Sequence, residues 1–378
     1  MNKKNLKRFF NVMPMGIIII LCACTAEGEL FENWDQRGLV IDGGEWTKKA
    51  DFMGYEREGA VGFSIENKGY YGTGREMQDD QVNYWGRPRP DYLYFMDFWE
   101  YDPVSNSWTQ KADFPGEGRE KAVGFSIENI GYIGTGECYV NGHTVYYQDF
   151  WEYDPISNVW TRKADFAGET RSQAVGISIG NKGYIGTGFS ISEDSETFYS
   201  DFYEYDPVSD SWLEKKDFPG TSRRLAVGFS IGELGYIGMG QGRVTSSYVD
   251  FWAYNPLSDS WTRRADADNL TSYGVGFSIG NKGYISAVAR FEPRAAYPWA
   301  ELTREEREAQ RFRNLPYYNT NRHLISRASF FEYDPISNKW RLCATIGSYL
   351  GVGFSIGDKG YFLNGRLYKT LLSLFTGE

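Results

Sequence analysis

Histidine and cysteine are almost absent from this chain of 378 residues, which carries two of the first and four of the second. No His-x-x-His or Cys-x-x-Cys pair occurs, so the close-spaced ligand sets of a dedicated zinc or iron site are excluded. With histidines only at positions 143 and 323, no Ser-His-Asp arrangement can be assigned either. Long apolar runs are missing as well. The most apolar segment, Met15–Ala23, is too short to span a bilayer. Positive charge is in deficit, with 40 Lys and Arg against 50 Asp and Glu and a net charge of −10. That balance argues against the phosphate backbone of a nucleic acid as partner. What the chain does have is glycine, 43 residues, and aromatic side chains, 17% of the total.

These residues recur in register. A Val-Gly-aromatic-Ser-Ile segment, first seen at Val61–Ile65, is followed at a fixed distance by Gly-Tyr. The pairing recurs as Phe63/Tyr70, Phe125/Tyr132, Ile177/Tyr184, Phe229/Tyr236, Phe277/Tyr284 and Phe354/Tyr361. A second block, Asp97-Phe-Trp-Glu-Tyr-Asp-Pro103 with Trp108 behind it, has equivalents at Asp149–Trp160, Asp201–Trp212, Asp250–Trp261 and Ser329–Trp340. In all five, Tyr and Trp keep one spacing: Tyr101/Trp108, Tyr153/Trp160, Tyr205/Trp212, Tyr254/Trp261 and Tyr333/Trp340. Units of about 50 residues built from short strands predict propeller blades. Each unit reads as four strands, with a three-residue loop (66–68 in the first copy) between the first two. The sixth unit lacks a fourth strand, and Glu45–Phe52 is an orphan fourth strand near the N-terminus. The expected fold is therefore all-β, a six-bladed propeller over 45–378 whose last blade is completed by the N-terminal strand. Such closure removes free sheet edges. Cys138 and Cys343 fall in different units and are expected to be isolated thiols.

The Gly-Tyr strand, the small-residue end Gly72-Thr73-Gly74 and the Tyr-x6-Trp spacing together resemble the kelch family, over roughly residues 45–378. Gly-Thr-Gly stands where many kelch repeats carry adjacent glycines. The resemblance implies a six-bladed kelch-type β-propeller. It also implies two enzymatic possibilities. Some bacterial six-bladed kelch proteins are exported epimerases or mutarotases acting on sialic acid, which need a carboxylate-binding arginine and a general acid/base but no metal. Kelch-type propellers also include copper-radical sugar oxidases, whose ligand spacing is not recognisable here. No catalytic residue, metal or cofactor is assigned. Glu137, His143, Glu193 and Asp194 are only loop candidates for an acid/base.

The N-terminus reads as a targeting segment. Lys3, Lys4, Lys7 and Arg8 precede the apolar run, which ends Leu21-Cys22-Ala23-Cys24. This matches a bacterial lipobox: residues 1–23 are expected to be a lipoprotein signal peptide, Cys24 the lipidated residue and 24–44 a tether. The acidic leader (Glu27, Glu29, Glu32) resembles those of Bacteroides-like surface lipoproteins. The expected location is the outer membrane, facing the cell surface or the periplasm, with the lipid as the sole membrane contact.

Function is expected on the face that carries the variable connections. The second-to-third loops span 75–96 in the first unit and 289–328 in the fifth, where Thr303-Arg-Glu-Glu306 predicts a capped helix. Trp85 and Trp299 in these loops are candidate stacking platforms for a sugar. Four positions before each anchor valine stand Arg57, Arg119, Arg171, Arg223, Thr271 and Ser348. Two readings stay open for them. They form an arginine crescent that binds carboxylate or phosphate, or they are scaffold residues paired with a nearby Glu or a carbonyl. The expected function is a lipid-anchored envelope module that binds a glycan, an anionic one included, or an envelope protein partner. The alternative is the sugar epimerase or mutarotase.

Overall fold

The computed structural model describes residues 45–78, 91–192, 195–243, 247–267, 274–288, 328–346, 351–364 and 371–375. Trp85, Thr271, Trp299, Ser348, Cys24, Glu193, Asp194, His323 and the expected helix within 289–328 lie outside them.

The described strands build six antiparallel sheets of four strands each, together with three separate two-stranded hairpins. In the first sheet the order is Val61–Ile65, Lys68–Gly72, Phe98–Asp102, Ser107–Gln110. In the sixth it is Gly351–Ile356, Lys359–Asn364, Leu371–Phe375 and then Glu45–Lys48. The N-terminal strand thus pairs antiparallel with Leu371–Phe375, in register Glu45 to Phe375 and Trp46 to Leu374. First strands of successive sheets pack side by side, and that of the sixth packs against that of the first. This is the architecture of an all-β propeller.

The repeat has a packing reason. Val and Phe of one first strand fill the space left by two glycines of the next blade. A side chain on Gly131 would meet the Phe63 ring at 2.6 Å, and one on Gly69 would run into Phe354. Only glycine lets the inner strands approach this closely.

The Tyr-x6-Trp spacing has a bonding reason. Tyr101 Oη donates to Asn106 Oδ1 at 2.7 Å, and that oxygen also accepts from the Ala50 amide at 2.9 Å. Trp108 Nε1 then donates to the Ala50 carbonyl at 3.2 Å. Asn106 can make this turn because it holds φ at 50°, a conformation that Asn and Asp tolerate. The same clamp grips Ala112 (from Asn158 and Trp160), Ala164 (Asp210, Trp212), Lys216 (Asp259, Trp261) and Ala265 (Asn338, Trp340).

Two local expectations need correction. Ile65 pairs directly with Lys68, so the first hairpin loop has two residues, Glu66 and Asn67, and Lys68 belongs to the strand. Glu66 has φ of 51°, and glycine takes this position in Gly180, Gly232, Gly280 and Gly357. A positive φ at the first loop residue but not at the second, as in Glu66-Asn67, is the mark of a type II′ turn. Second, the second-to-third connections of the first three sheets are not plain loops but ordered hairpins. They are Arg75–Gln78 with Asp91–Tyr94, Glu137–Val140 with His143–Tyr146, and Phe189–Ser192 with Ser195–Phe198. The middle one turns on Asn141-Gly142, both at positive φ (52° and 90°), an Asn-Gly hairpin signal readable from sequence.

Candidate functional site

These hairpins rise from the same face as the connections that enter the first strands, and short bridges stitch the two together. Glu58 pairs with Arg75, Glu120 with Glu137, Ser172 with Phe189 and Arg224 with Gln241. Among the described residues, the first four blades are stitched in this way over their inner strands.

The four arginines are buried beneath this layer, with relative exposures of 2% or less. Each guanidinium forks onto the aspartate that opens the third strand. Nη2 to Oδ2 is 2.8 Å for Arg57–Asp97, 2.8 Å for Arg119–Asp149, 2.6 Å for Arg171–Asp201 and 2.9 Å for Arg223–Asp250. Nη1 donates to the carbonyl of Thr73, Thr135, Thr187 or Met239, and Nε donates to the carbonyl two residues back. Aromatic rings close both faces: Arg119 lies 4.9 Å from the Phe114 centroid and 4.1 Å from that of Tyr147. Burial pushes the Asp149 and Asp250 carboxyls up, but Arg119 and Arg223 outweigh it and hold both below the ordinary carboxylate value. The crescent is therefore not presented to solvent, and the anion-binding reading of Arg57, Arg119, Arg171 and Arg223 is corrected to a scaffold one. The partner is also not the neighbouring Glu58 or Glu120. A signal for it was in the sequence. The four units with arginine begin their second block with Asp, whereas the fifth pairs Thr271 with Ser329.

Next to each arginine the scaffold holds Glu58, Glu120, Ser172 or Arg224, of which Glu120 and Ser172 are themselves buried. Backbone bonds link the next positions from blade to blade, from Lys121 N to Gly59 O at 2.6 Å, Gln173 N to Lys121 O at 3.1 Å and Leu225 N to Gln173 O at 2.9 Å. On this arc sits an ionic cluster. Arg75 reaches Glu58 at 2.9 Å and Glu120 at 2.8 Å, and Lys121 reaches Glu137 at 2.7 Å and Glu120 at 3.4 Å. Ser172 Oγ donates to Glu137 Oε2 at 2.7 Å.

Glu120 is the unusual member. It is buried, and its Oε2 has no hydrogen-bond partner among the described residues. Burial pushes the carboxyl up to about 7; Lys121 and Arg75 pull it down, and Glu137 and Glu58 add repulsion. A carboxyl poised near neutrality can both give and take a proton. The Lys121 ammonium, pulled down by burial, is held above its usual value by Glu137 and Glu120. Tyr92 and Tyr94 flank the cluster, with Arg75 4.0 Å from the Tyr92 centroid and Tyr94 Oη accepting from the Tyr139 amide at 2.7 Å. Of the sequence candidates, Glu137 belongs to this cluster. His143 is exposed on its hairpin, paired in register with Val140. Glu120 and Arg75 were not singled out by the sequence, because their chemistry comes from burial and convergence of two blades.

Cys138 and Cys343 are both buried and free. Burial pushes the Cys343 thiol up to about 11, and Cys138 Sγ lies 2.9 Å from Tyr147 Oη. Among the described residues no cluster of His, Cys, Asp or Glu is arranged to hold a metal ion.

Four-stranded antiparallel blades whose first strands pack side by side define the class of β-propellers. Among solved structures, the chain is similar to that of YjhT, with a TM-score of 0.60 and 14% identity over 85% of this chain and 95% of that one. Among curated proteins, it is 33% identical over 93 residues to the N-acetylneuraminate epimerase of Yersinia enterocolitica serotype O:8 / biotype 1B (strain NCTC 13174 / 8081). That match spans 24% of this chain and 22% of the relative. No family model matches the sequence.

Proposed function

We propose that this chain is a six-bladed, lipid-anchored propeller of the bacterial envelope that binds a glycan on its elaborated face. Cys24 carries the lipid in this reading, and the N-terminal strand closes the ring. The observation that carries the glycan reading is the axial cluster, in which Glu58, Glu120, Glu137, Arg75 and Lys121 converge beside Tyr92 and Tyr94. Dense acceptors and donors next to aromatic surface suit sugar hydroxyls. With the arginine crescent buried, and three acids facing two cations, the arrangement favours hydroxyl-rich ligands over strongly anionic ones.

A second reading, a sugar epimerase or mutarotase, is favoured by one specific observation. Glu120 is a carboxyl near pH 7 with an unpaired oxygen, and the chain shares a segment with a protein named N-acetylneuraminate epimerase. In this reading Glu120 moves the proton and Lys121 or Arg75 steadies the charge that develops.

One experiment tests both. The purified chain and its Glu120→Gln variant are titrated with neutral sugars and N-acetylneuraminate by calorimetry, and anomer exchange is followed by NMR. Binding without accelerated exchange supports the module. Exchange that is lost in Glu120→Gln, with an inflection near pH 7, supports the enzyme. Absence of any sugar effect, with an envelope protein captured instead, overturns both. Lipidation is tested separately: Cys24→Ser is expected to abolish incorporation of labelled fatty acid.

The same variant carries a stability prediction. The Glu120 carboxyl is raised from 4.5 to about 7 in the fold, so the folded state holds its proton more tightly than the unfolded state. That stabilisation is full below about pH 4.5 and is lost as pH rises through 7. Its size is on the order of 3 kcal/mol. Denaturant titrations at pH 5 and 8 should show this decline in the parent and a flatter dependence in Glu120→Gln.

A further inference from the structure

At the outer rim of the elaborated face the first blade differs from the second and fourth; the third and fifth carry no tryptophan at the matching position, with Tyr203 facing Glu214 and Phe331 facing Leu342. The third strand sets an aromatic residue opposite one residue of the fourth: Trp99 faces Gln110, Trp151 faces Arg162 and Trp252 faces Arg263. In the second and fourth blades the arginine lies over the indole, at 5.9 Å for Arg162 and 5.8 Å for Arg263. Each is tied down by an aspartate three residues on, Asp165 or Asp266, at 2.9 Å. Gln110 keeps the tie, to Asp113 at 3.2 Å, but has no guanidinium to lay over Trp99.

The neighbouring connection changes in the same direction. Tyr55 stands where the next three blades have Glu117, Glu169 and Thr221, and Met53 stands where they have Pro115, Ala167 and Pro219. Tyr55 is 63% exposed and stacks on Phe95 with ring centroids 5.8 Å apart and an interplanar angle of 8°. Met53 and Met96 are exposed too. Between these side chains opens a cleft of about 620 Å³, lined among others by Trp99, Gln110 and Asp113. No lysine or arginine lines it.

We propose that this cleft is a binding site for a neutral pyranose. The C–H face of the sugar packs on Trp99, whose ring face is electron-rich. Its hydroxyls donate to the Asp113 carboxylate and exchange hydrogen bonds with the Gln110 amide. An acidic sugar is disfavoured, because the polar lining supplies carboxylates and no cation. Exposed apolar side chains rimmed by polar groups mark such sites. Tyr94 lines this cleft and also flanks the axial cluster, but Trp99, Gln110 and Asp113 belong to the cleft alone, and the proposal does not rest on the function proposed for the cluster.

The test uses Gln110→Arg, which copies the arrangement that the second and fourth blades already fold with. Saturation-transfer NMR on the purified chain is run with methyl β-glucoside and lactose, and with N-acetylneuraminate as the charged control. The expected result, read in the Glu120→Gln background so that binding at the axial cluster does not contribute, is transfer to the pyranose ring protons of the neutral sugars, with affinity lowered about tenfold or more when Gln110→Arg is added and unchanged melting. Neutral sugars that show no transfer, or that bind Gln110→Arg as well as the parent, overturn the proposal. Loss in Glu120→Gln together with retention in Gln110→Arg places the sugar at the axial cluster instead.

Discussion

Replacing Arg171 by alanine is expected to cost about 3–5 kcal/mol of stability, the usual penalty for stranding one member of a buried ion pair. Arg171 has no solvent exposure, and its loss leaves Asp201 facing a vacated interior between Phe166 and Tyr199. The Thr187 and Glu169 carbonyls lose their donor at the same stroke. The melting temperature should fall by on the order of 10 °C. Arg171→Lys is not expected to rescue it, since a point charge cannot bond two carboxylate oxygens and two carbonyls in one plane. Removing Asp201 as well should return part of the loss, because no uncompensated charge then remains. A melting temperature unchanged by Arg171→Ala would show that the pair is not structural. At Asp149 and Asp250 the depressed carboxyls set a sign. Their stabilisation is present above the ordinary carboxylate value and is lost as pH falls through the folded one.

Deleting residues 45–52 is expected to abolish cooperative folding altogether. The deletion strips the partner strand from Leu371–Phe375 and exposes a sheet edge. It also removes Phe52, whose ring meets Tyr71, Trp99 and Trp108 edge-on at 4.9, 5.4 and 5.2 Å. Loss of a buried Phe alone costs about 3–5 kcal/mol. Ala50 goes with it, and with Ala50 the grip of Asn106 and Trp108. The sum is comparable to the whole stability of an ordinary domain, roughly 5–15 kcal/mol. Circular dichroism melting reads the outcome, and an unchanged cooperative transition in the deletion would overturn ring closure by this strand.

The fold was legible because its rules are local and repeated. Val61, Gly62, Phe63 and Gly69 and their counterparts recur at fixed spacing since the valine and the aromatic residue of one blade pack against the two glycines of the next. The site was less legible for a physical reason. The sequence shows that Arg119 recurs but not which way its side chain points, and a side chain that ends buried looks identical to one that ends in solvent. Its aspartate lies 30 residues on, beyond any local pattern, and only the joint change to Thr271 and Ser329 in the fifth unit hints at the pair. Glu120 and Arg75 were invisible for the same cause, since their cluster forms between neighbouring blades. Trp99 was hidden in a consensus block, its distinction resting on Gln110 across the strand pair.

The buried arginine clamps have one more consequence. Each fixes the connection that carries the residue following it, so Glu58, Glu120, Ser172 and Arg224 stand on a frame already rigid before any ligand arrives. A ligand meeting this rim spends little of its binding energy on ordering loops. The hook is constant while the residue beside it is two acids, a hydroxyl and a cation in turn. The four blades thus share one anchor and differ in the polar group it fixes, and Glu120 and Ser172 are held inside the cluster rather than on its surface.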